Sequence, residues 1–204
     1  DAVCEGEQPE NVTSLLFEDN ASAYLTGLIA GRMTETNKVG FIGGMESPVI
    51  SKFDYGFRAG VKAANPDAEV MVQYANSFTD SALGKTIANQ MHSKNADIIF
   101  TCAGAVGIGA VEAAKENGKK AIGVDQDQNS LAPENVITSA MKNIDVSVEE
   151  MLSKVVDGSY KGGEIIVNTL AMNGVGIPQS SEKNVPPDVL TYVKEEAEKV
   201  KSGE

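Results

Sequence analysis

Short apolar runs alternate with segments of helical period along almost the whole chain. The runs of strand length are residues 12–17, 38–42, 69–74, 97–101, 120–124, 136–139 and 164–167. Between them, apolar side chains recur every three to four residues, which places them on one face of a helix. This alternation is typical of a parallel sheet with crossover helices, so it predicts the α/β class with helices on both faces of the sheet.

Residues that favour helix ends support this pattern. Asp19 or Asn20 is a candidate N-cap for the first helix. Ser47 followed by Pro48 predicts another helix start, because serine caps helices and proline fits their first turn. Residues 144–156 have the cleanest amphipathic stripe in the chain, and Gly158 closes it.

The C-terminal part of the chain differs in composition from the rest. Residues 173–185 are rich in Gly, Ser and Pro, which predicts a surface loop. Pro186 and Pro187 then begin a final helix, in which a few apolar residues are surrounded by charges. We expect this helix to dock weakly or to fray.

The charge and composition of the chain argue against some classes of binding partner. The 204 residues include 17 Lys and Arg against 29 Asp and Glu, a formal net charge of -12. The field of such a chain repels phosphate backbones, which argues against nucleic acid as a partner. With 42% hydrophobic residues the chain is expected to fold.

The histidine and cysteine content argues against a metal centre or a catalytic triad. His92, Cys4 and Cys102 are too few for a His-rich zinc site or a Cys-rich cluster, so no cofactor is predicted. His92 is expected to face solvent, and both thiols are expected to be unpaired. Cys4 as a lipid-attachment cysteine would need a longer apolar stretch before it, so that interpretation is rejected. The chain contains no stretch of about 18 consecutive apolar residues, so the sequence predicts no transmembrane helix.

Candidate ligand-binding residues follow the predicted strands. The carboxyl ends of parallel strands meet at one edge of a sheet, where their loops converge on one crevice. These loops are residues 43–45, 76–80, 102–104, 125–128 and 140–142. They offer an aromatic face, glycine amides, carboxylates and an ammonium, a set that suits a polar ring compound with hydroxyl groups.

Four residues of these loops are the strongest candidates, and each has a simpler interpretation beside it. Asp125 can accept hydrogen bonds from a diol, or it can cap the turn after its strand. Lys142 is a candidate donor or an ordinary surface lysine. Phe78, in a polar link, favours a stacking platform over a core residue. Gly104 permits close backbone approach, either to a ligand or to a neighbouring helix.

Several strings, in this order, resemble the basic membrane protein family, whose members are substrate-binding lipoproteins of ABC transporters and include nucleoside receptors. The strings are KVGFIGGM (38–45), SFTD (77–80), ADIIF (96–100), AIGVDQDQ (121–128), TSAMK (138–142) and NGVG (173–176). The resemblance spans residues 1–204. It implies a type I periplasmic-binding-protein fold, in which two α/β lobes enclose a ligand in the cleft between them.

The resemblance also implies how the chain divides between the lobes. Residues 1–19 would be the end of the N-terminal lobe and a crossover, 20–140 the C-terminal ligand-binding lobe, 141–160 a crossover and a helix of the N-terminal lobe, and 161–204 the return strand of the C-terminal lobe and a terminal helix. Most of the N-terminal lobe would precede this chain. We therefore expect that missing lobe, or another chain, to pack on the helix at 144–158.

The function implied by the resemblance is capture of a nucleoside, with a purine favoured, and its delivery to a membrane permease. Phe78 would stack on the base, Gly104 would offer a backbone contact, Asp125 would bind the ribose hydroxyls, and Lys142 would reach the sugar. The protein would be extracytoplasmic, non-catalytic and anchored as a lipoprotein, with the anchor outside this chain. The alternatives are a sugar-binding regulator domain and a doubly wound nucleoside-processing enzyme, since fold alone does not fix function.

Overall fold

The structure is a computed structural model that describes residues 3–4 and 7–203. Eight strands and six α-helices follow one another in the described residues, mostly in alternation. The strands are β1 (Ser14–Phe17), β2 (Lys38–Gly43), β3 (Glu69–Tyr74), β4 (Ile98–Cys102), β5 (Lys120–Asp125), β6 (Val136–Lys142), β7 (Ile165–Asn168) and β8 (Val175–Gly176). The helices are α1 (Asp19–Met33), α2 (Pro48–Ala64), α3 (Ser81–Ser93), α4 (Ala105–Glu116), α5 (Ile144–Val156) and α6 (Pro187–Ser202).

Six of the strands form one sheet in the order β3-β2-β4-β5-β6-β8. The first five are parallel, and β8 runs antiparallel to β6. Gly43 lies beside Tyr74 of β3 on one side and Cys102 of β4 on the other, so these strands end at the same level. The predicted α/β class with a parallel sheet is confirmed, and the loops after the strands share one edge as expected.

The strands β1 and β7 form a separate, two-stranded parallel sheet. Ser14 lies beside Ile165 and Phe17 beside Asn168, and the Glu18 backbone N–H donates to the Asn168 carbonyl at 3.1 Å. This pairing differs from the expectation that 164–167 would be a strand of the lobe formed by residues 20–140. The sequence contained no signal for the register of so short a strand, because its pairing partner lies 151 positions away along the chain, as in Ser14 beside Ile165.

An aromatic cluster fills the space between α2 and the six-stranded sheet. Phe41, Phe53, Phe57 and Phe100 are all fully buried, and the Phe57 and Phe100 ring centroids lie 5.2 Å apart. Phe41 meets Phe100 edge to face at 5.5 Å, an arrangement that aromatic pairs favour. This core packs the middle of β2 and of β4 against α2.

The C-terminal helix α6 is part of the main core, so the expectation that it docks weakly or frays is wrong. Its residues Val189, Leu190, Val193 and Ala197 are buried in the same cluster as α1 and α2. The Arg32 guanidinium of α1 lies 4.2 Å from the Tyr192 ring centroid and adds a cation–π contact. The charged positions visible in the sequence lie on the opposite, solvated side of the helix.

The segment 173–185, predicted as a surface loop, contains strand β8 and a 3-10 helix at Gln179–Lys183. Strand β8 pairs Val175 with Lys142, at the end of β6. The Thr138 and Ser181 hydroxyls form a buried hydrogen bond of 2.8 Å. These contacts join residues more than thirty positions apart, so local sequence patterns contained no signal for them.

The structure corrects the prediction for the histidine and agrees with the prediction for the two cysteines. His92 is buried rather than solvent-facing, and its Nδ1 lies 2.9 Å from the Ala96 carbonyl oxygen. Burial lowers the pKa of His92. Both cysteines are unpaired as predicted, with Cys4 exposed and Cys102 buried, and burial raises the pKa of the Cys102 thiol.

Candidate functional site

Three of the four predicted site residues line one open cleft at the carboxyl edge of the six-stranded sheet. Gly104 follows β4, Asp125 ends β5 and Lys142 ends β6, so neighbouring strands bring them together. The cleft has a volume of about 440 Å³. Its other lining residues are Ile108, Val124, Gln126, Gln128, Ile144 and Asp145. Carboxylate, ammonium, amide and apolar groups thus share one small concave surface.

The fourth residue, Phe78, lies beside this cleft against the glycine backbone. Its carbonyl oxygen accepts a hydrogen bond from the Ala105 N–H at 2.8 Å. Its ring lies on Gly44, where an added Cβ would overlap the ring atoms. The side chain remains 39% exposed, which leaves part of the ring open to a ligand. Phe78 is therefore an exposed aromatic residue at the edge of the cleft, and its role as a stacking platform stays a prediction.

Gly104 has a backbone conformation that requires glycine. Its φ is 57° and its ψ is -129°, a region that residues with a Cβ avoid. A Cβ at this position would also lie 2.8 Å from the Phe78 carbonyl oxygen. Gly104 thus permits close backbone approach, and the neighbour it approaches here is the Phe78 loop.

Asp125 occupies an exposed turn directly after β5. Its φ is positive, at 66°, and the next N–H, of Gln126, donates to the Val124 carbonyl at 2.8 Å. The Asp125 side chain is 58% exposed. Among the residues that the structure describes, no backbone N–H donates to its carboxylate, whereas Asp127 accepts from the Asn129 N–H at 3.0 Å. The turn-cap role weighed for Asp125 therefore belongs to Asp127.

The Lys142 side chain is largely covered, unlike that of an ordinary surface lysine. Its side chain is 9% exposed, and its Nζ lies 3.0 Å from Asp19 Oδ1 and 3.9 Å from Asp125 Oδ1. The rings of Phe17 and Phe53 each lie with their centroids 5.5 Å from the same Nζ. The ammonium is thus held between two carboxylates and two aromatic rings.

Asp19 is the site residue whose role the sequence did not reveal. It was a candidate N-cap, but α1 begins at Asp19 itself, with Glu18 as the capping position. The Asp19 side chain is 1% exposed. Burial raises the pKa of its carboxyl, and the nearby Lys142 charge opposes that rise. The sequence signal that could have revealed this role was a charged residue at a predicted helix start, between two apolar stretches.

Gln128 braces the turn that presents Asp125. Its Oε1 accepts from the Val124 N–H at 3.1 Å, and its own N–H donates to Ser139 Oγ at 3.2 Å. The loop 125–128 is therefore tied to both β5 and β6. Gln126 and Asp145 contribute further polar groups to the rim, while Ile108 and Ile144 provide an exposed apolar wall.

Two further features concern other kinds of site. In the described part of the chain, no group of three or more His, Cys, Asp and Glu is placed to hold a metal ion. No α-helix there is both long and apolar enough to cross a membrane.

A larger groove of about 610 Å³ lies between α1, α2 and α6. It shares no lining residue with the cleft at the sheet edge, and its walls are mostly apolar or small residues.

A family model described as ABC transporter substrate-binding protein PnrA-like, or Bmp, matches residues 1–203. The chain belongs to the Bmp family. The resemblance found in the sequence strings is thereby confirmed. Members of this family are substrate-binding proteins of ABC transporters and not enzymes, so the enzyme alternative is not supported.

Curated Bmp-related proteins are about 40% identical to this chain. One is the CD4+ T-cell-stimulating antigen of Listeria monocytogenes, 40% identical over 96% of this chain and 59% of that protein. Another is the ABC transporter nucleoside-binding protein BmpA of Lactococcus lactis, 40% identical over 91% of this chain and 58% of that protein. The chain thus spans less than two thirds of the length of these relatives.

Solved structures show the same architecture. A solute-binding protein of an ABC transporter system from Aeropyrum pernix superposes with a TM-score of 0.89 at 28% identity, covering 100% of this chain and 68% of that one. A transcriptional activator of the comK gene from Bacillus halodurans gives a TM-score of 0.88 at 26% identity, over 98% of this chain and 69% of that one. The periplasmic-binding-protein fold expected for this Bmp chain is therefore confirmed.

Proposed function

We propose that this chain forms the nucleoside-binding part of an ABC transporter substrate-binding protein. The observation that supports the proposal most directly is the convergence of Gly104, Asp125 and Lys142 on one cleft, with the Phe78 ring beside it. A Bmp-family relative from Lactococcus lactis is named as nucleoside-binding. The residues of the cleft, their geometry and the family therefore support the same class of ligand.

Each group of the cleft suits one part of a nucleoside. The half-exposed Phe78 ring offers its face to the base, as aromatic side chains do for nucleobases. The exposed Asp125 carboxylate can accept two hydrogen bonds from neighbouring ribose hydroxyls. Lys142 Nζ, 3.9 Å from that carboxylate, donates to a sugar oxygen at the same place. Gly104 leaves the backbone open to the ligand. A purine is the favoured base.

We assign the remaining contacts, those with the edge of the base, to a second lobe that closes over the cleft. The cleft is open in the present chain, and the relatives are longer than it. We propose that the complete protein acts outside the cytoplasm, is tethered to the membrane as a lipoprotein, and delivers its ligand unaltered to a membrane permease. Closure of two lobes around a ligand is a common means of presenting it to a partner.

Calorimetry on the protein expressed from its complete reading frame tests this proposal. Guanosine, inosine and adenosine are titrated beside cytidine, ribose and an amino acid. A purine nucleoside is expected to bind at micromolar Kd or tighter, about -8 kcal/mol. Binding of ribose or an amino acid without any nucleoside binding would contradict the ligand assignment. Chromatography after incubation is expected to recover the nucleoside intact.

Asp125→Ala tests the contact with the sugar. We expect it to weaken ribonucleosides at least tenfold more than the free bases, because the carboxylate faces the ribose hydroxyls. Asp127→Ala is the matched control, since Asp127 is in the same exposed loop and caps the Asn129 N–H. It is expected to leave the ratio of riboside to base affinity unchanged. Equal losses for riboside and base in Asp125→Ala would contradict the role.

A further inference from the structure

Asp19 lies beneath the cleft, and its carboxylate contacts the cleft residue Lys142. Its carboxylate is buried at the first turn of α1, and Oδ1 lies 3.0 Å from Lys142 Nζ. Its Oδ2 is buried and has no hydrogen-bond partner among the described residues. A buried carboxylate is costly unless a charge of opposite sign is held close to it. The folded protein therefore bears the cost of burying the Asp19 carboxylate, with Lys142 as the nearby opposite charge.

The ion pair also joins two of the connections between the sheets, the one after β1 and the one after β6. Asp19 follows β1 of the two-stranded sheet, whereas Lys142 ends β6 of the six-stranded sheet. The Phe17 and Phe53 rings flank the ammonium at 5.5 Å and restrict where the lysine side chain can go. With Asp19 below and Asp125 at the rim, Nζ is fixed at the floor of the cleft.

We infer that Asp19 is a positioning residue for ligand binding. It holds the Lys142 ammonium beneath Asp125, so that the lysine donates to the ligand from a fixed position instead of extending into solvent. Preorganisation of this kind reduces the ordering cost that binding would otherwise have to overcome. This inference rests on the proposed function, because it assigns Lys142 to the sugar of the ligand.

The first test needs no ligand and measures how well Lys142 is held. The complete protein is treated with a neutral acylating reagent, and the acylation rate of each lysine is followed by mass spectrometry. Asp19→Asn is expected to speed acylation of Lys142 at least fivefold relative to the exposed Lys94 and Lys115. Asp54→Asn is the matched control, since Asp54 is a buried carboxylate of α2 that pairs with Arg58 at 3.1 Å. It should leave the Lys142 rate unchanged.

The second test is a double-mutant cycle on nucleoside binding. Asp19→Asn is expected to weaken the riboside about tenfold in the natural background and less than twofold when Lys142→Met is already present. The free base should be affected less than twofold in both backgrounds. A merely structural role would give the same loss with and without Lys142. The cycle isolates the interaction of the two side chains.

Urea unfolding of each variant shows whether a change in binding or acylation comes from a folding defect. Lys142→Met leaves the Asp19 carboxylate buried without its partner, so the double variant Asp19→Asn, Lys142→Met is expected to be more stable than Lys142→Met alone. An unchanged acylation rate in Asp19→Asn, or a tenfold loss that persists without Lys142, would overturn the inference. Absence of any nucleoside binding by the natural protein would instead overturn the proposed function, while the acylation test would still decide whether Asp19 holds Lys142.

Discussion

The carbonyl oxygen of Phe78 accepts a hydrogen bond of 2.8 Å from the backbone N–H of Ala105, at the start of α4. This bond ties the loop after β3 to the loop after β4. It is possible because Gly104, between β4 and α4, has no Cβ to obstruct the approach. The position of the aromatic ring beside the cleft therefore depends on the glycine conformation.

Gly104→Ala is expected to destabilise the protein and to weaken ligand binding. The new Cβ would lie 2.8 Å from the Phe78 carbonyl oxygen, and φ is 57°. Backbone strain of this kind costs about 1–3 kcal/mol, before the displacement of Phe78 is added. Urea unfolding and calorimetry measure the two effects.

Gly118→Ala is the matched control for Gly104→Ala. Its φ is similar, at 61°, but an added Cβ would have no neighbour within 4 Å. It should therefore cost about 1 kcal/mol of stability through φ alone and leave ligand affinity unchanged. Equal effects of the two substitutions would show that the approach to Phe78 is unimportant.

Phe78→Ala separates ligand binding from stability. Base–aromatic stacking contributes about 1–3 kcal/mol, so nucleoside affinity is expected to fall by about fivefold to about 150-fold. Because the side chain is 39% exposed, the free energy of unfolding should change by less than about 1 kcal/mol. By contrast, Phe100→Ala in the fully buried cluster should cost about 3–5 kcal/mol. A stability loss of that size in Phe78→Ala, without loss of affinity, would identify Phe78 as a core residue instead.

His92 is expected to titrate below its usual pKa of about 6.5. Burial lowers the pKa, and protonation would place a proton on Nε2, which is buried without a partner among the described residues. The sequence contains a single histidine, so its imidazole resonances in NMR need no further assignment. A measured pKa above 6.5 would contradict the burial of this side chain.

The same residue gives a defined pH dependence of stability. The unfolded chain binds a proton at about pH 6.5, and the folded protein only at lower pH. The contribution of His92 is therefore complete above pH 6.5 and is lost as the pH falls from 6.5 through the lowered pKa. His92→Gln should show a smaller drop in urea midpoint between pH 7 and pH 5.5 than the natural protein.

The exposed face of α5 is predicted to be covered in the complete protein. Leu152, Val155 and Val156 are 59%, 56% and 88% exposed, and Ile165 and Val167 of β7 are about half exposed. Apolar surfaces of this extent usually contact another surface. In the present chain, Leu152→Lys with Val156→Lys should reduce binding of a hydrophobic dye at least twofold and leave the melting temperature unchanged.

In the complete protein the same pair of substitutions should lower the melting temperature, because lysines would then enter a contact with the N-terminal lobe or another chain. Val193→Lys is the control for a residue buried within the present chain, where it is 1% exposed. It should unfold both forms. An unchanged melting temperature in the complete protein would show that α5 faces solvent there too.

Much of the fold was predictable because the signals are local. Short apolar runs identified β2 to β6 to within a few residues, and the apolar stripes between them predicted helices. Ser47 does cap α2, its Oγ accepting from the Ile50 N–H at 3.3 Å, as its position before Pro48 predicts. Such signals involve residues within one turn of each other, where side-chain spacing and backbone sterics decide the structure.

The sequence by itself determined the succession of β1 to β7 and of the α-helices along the chain, and the parallel sheet. It also determined the edge at which Phe78, Gly104, Asp125 and Lys142 gather, because these features follow from local periodicity and from the direction of parallel strands. Tertiary structure alone decided that α6 is buried, that β7 pairs with β1, and that Asp19 lies beneath Lys142. Each of these depends on contacts between residues far apart in the chain. Their energies come from burial and charge pairing in a surrounding that exists only once the chain has folded.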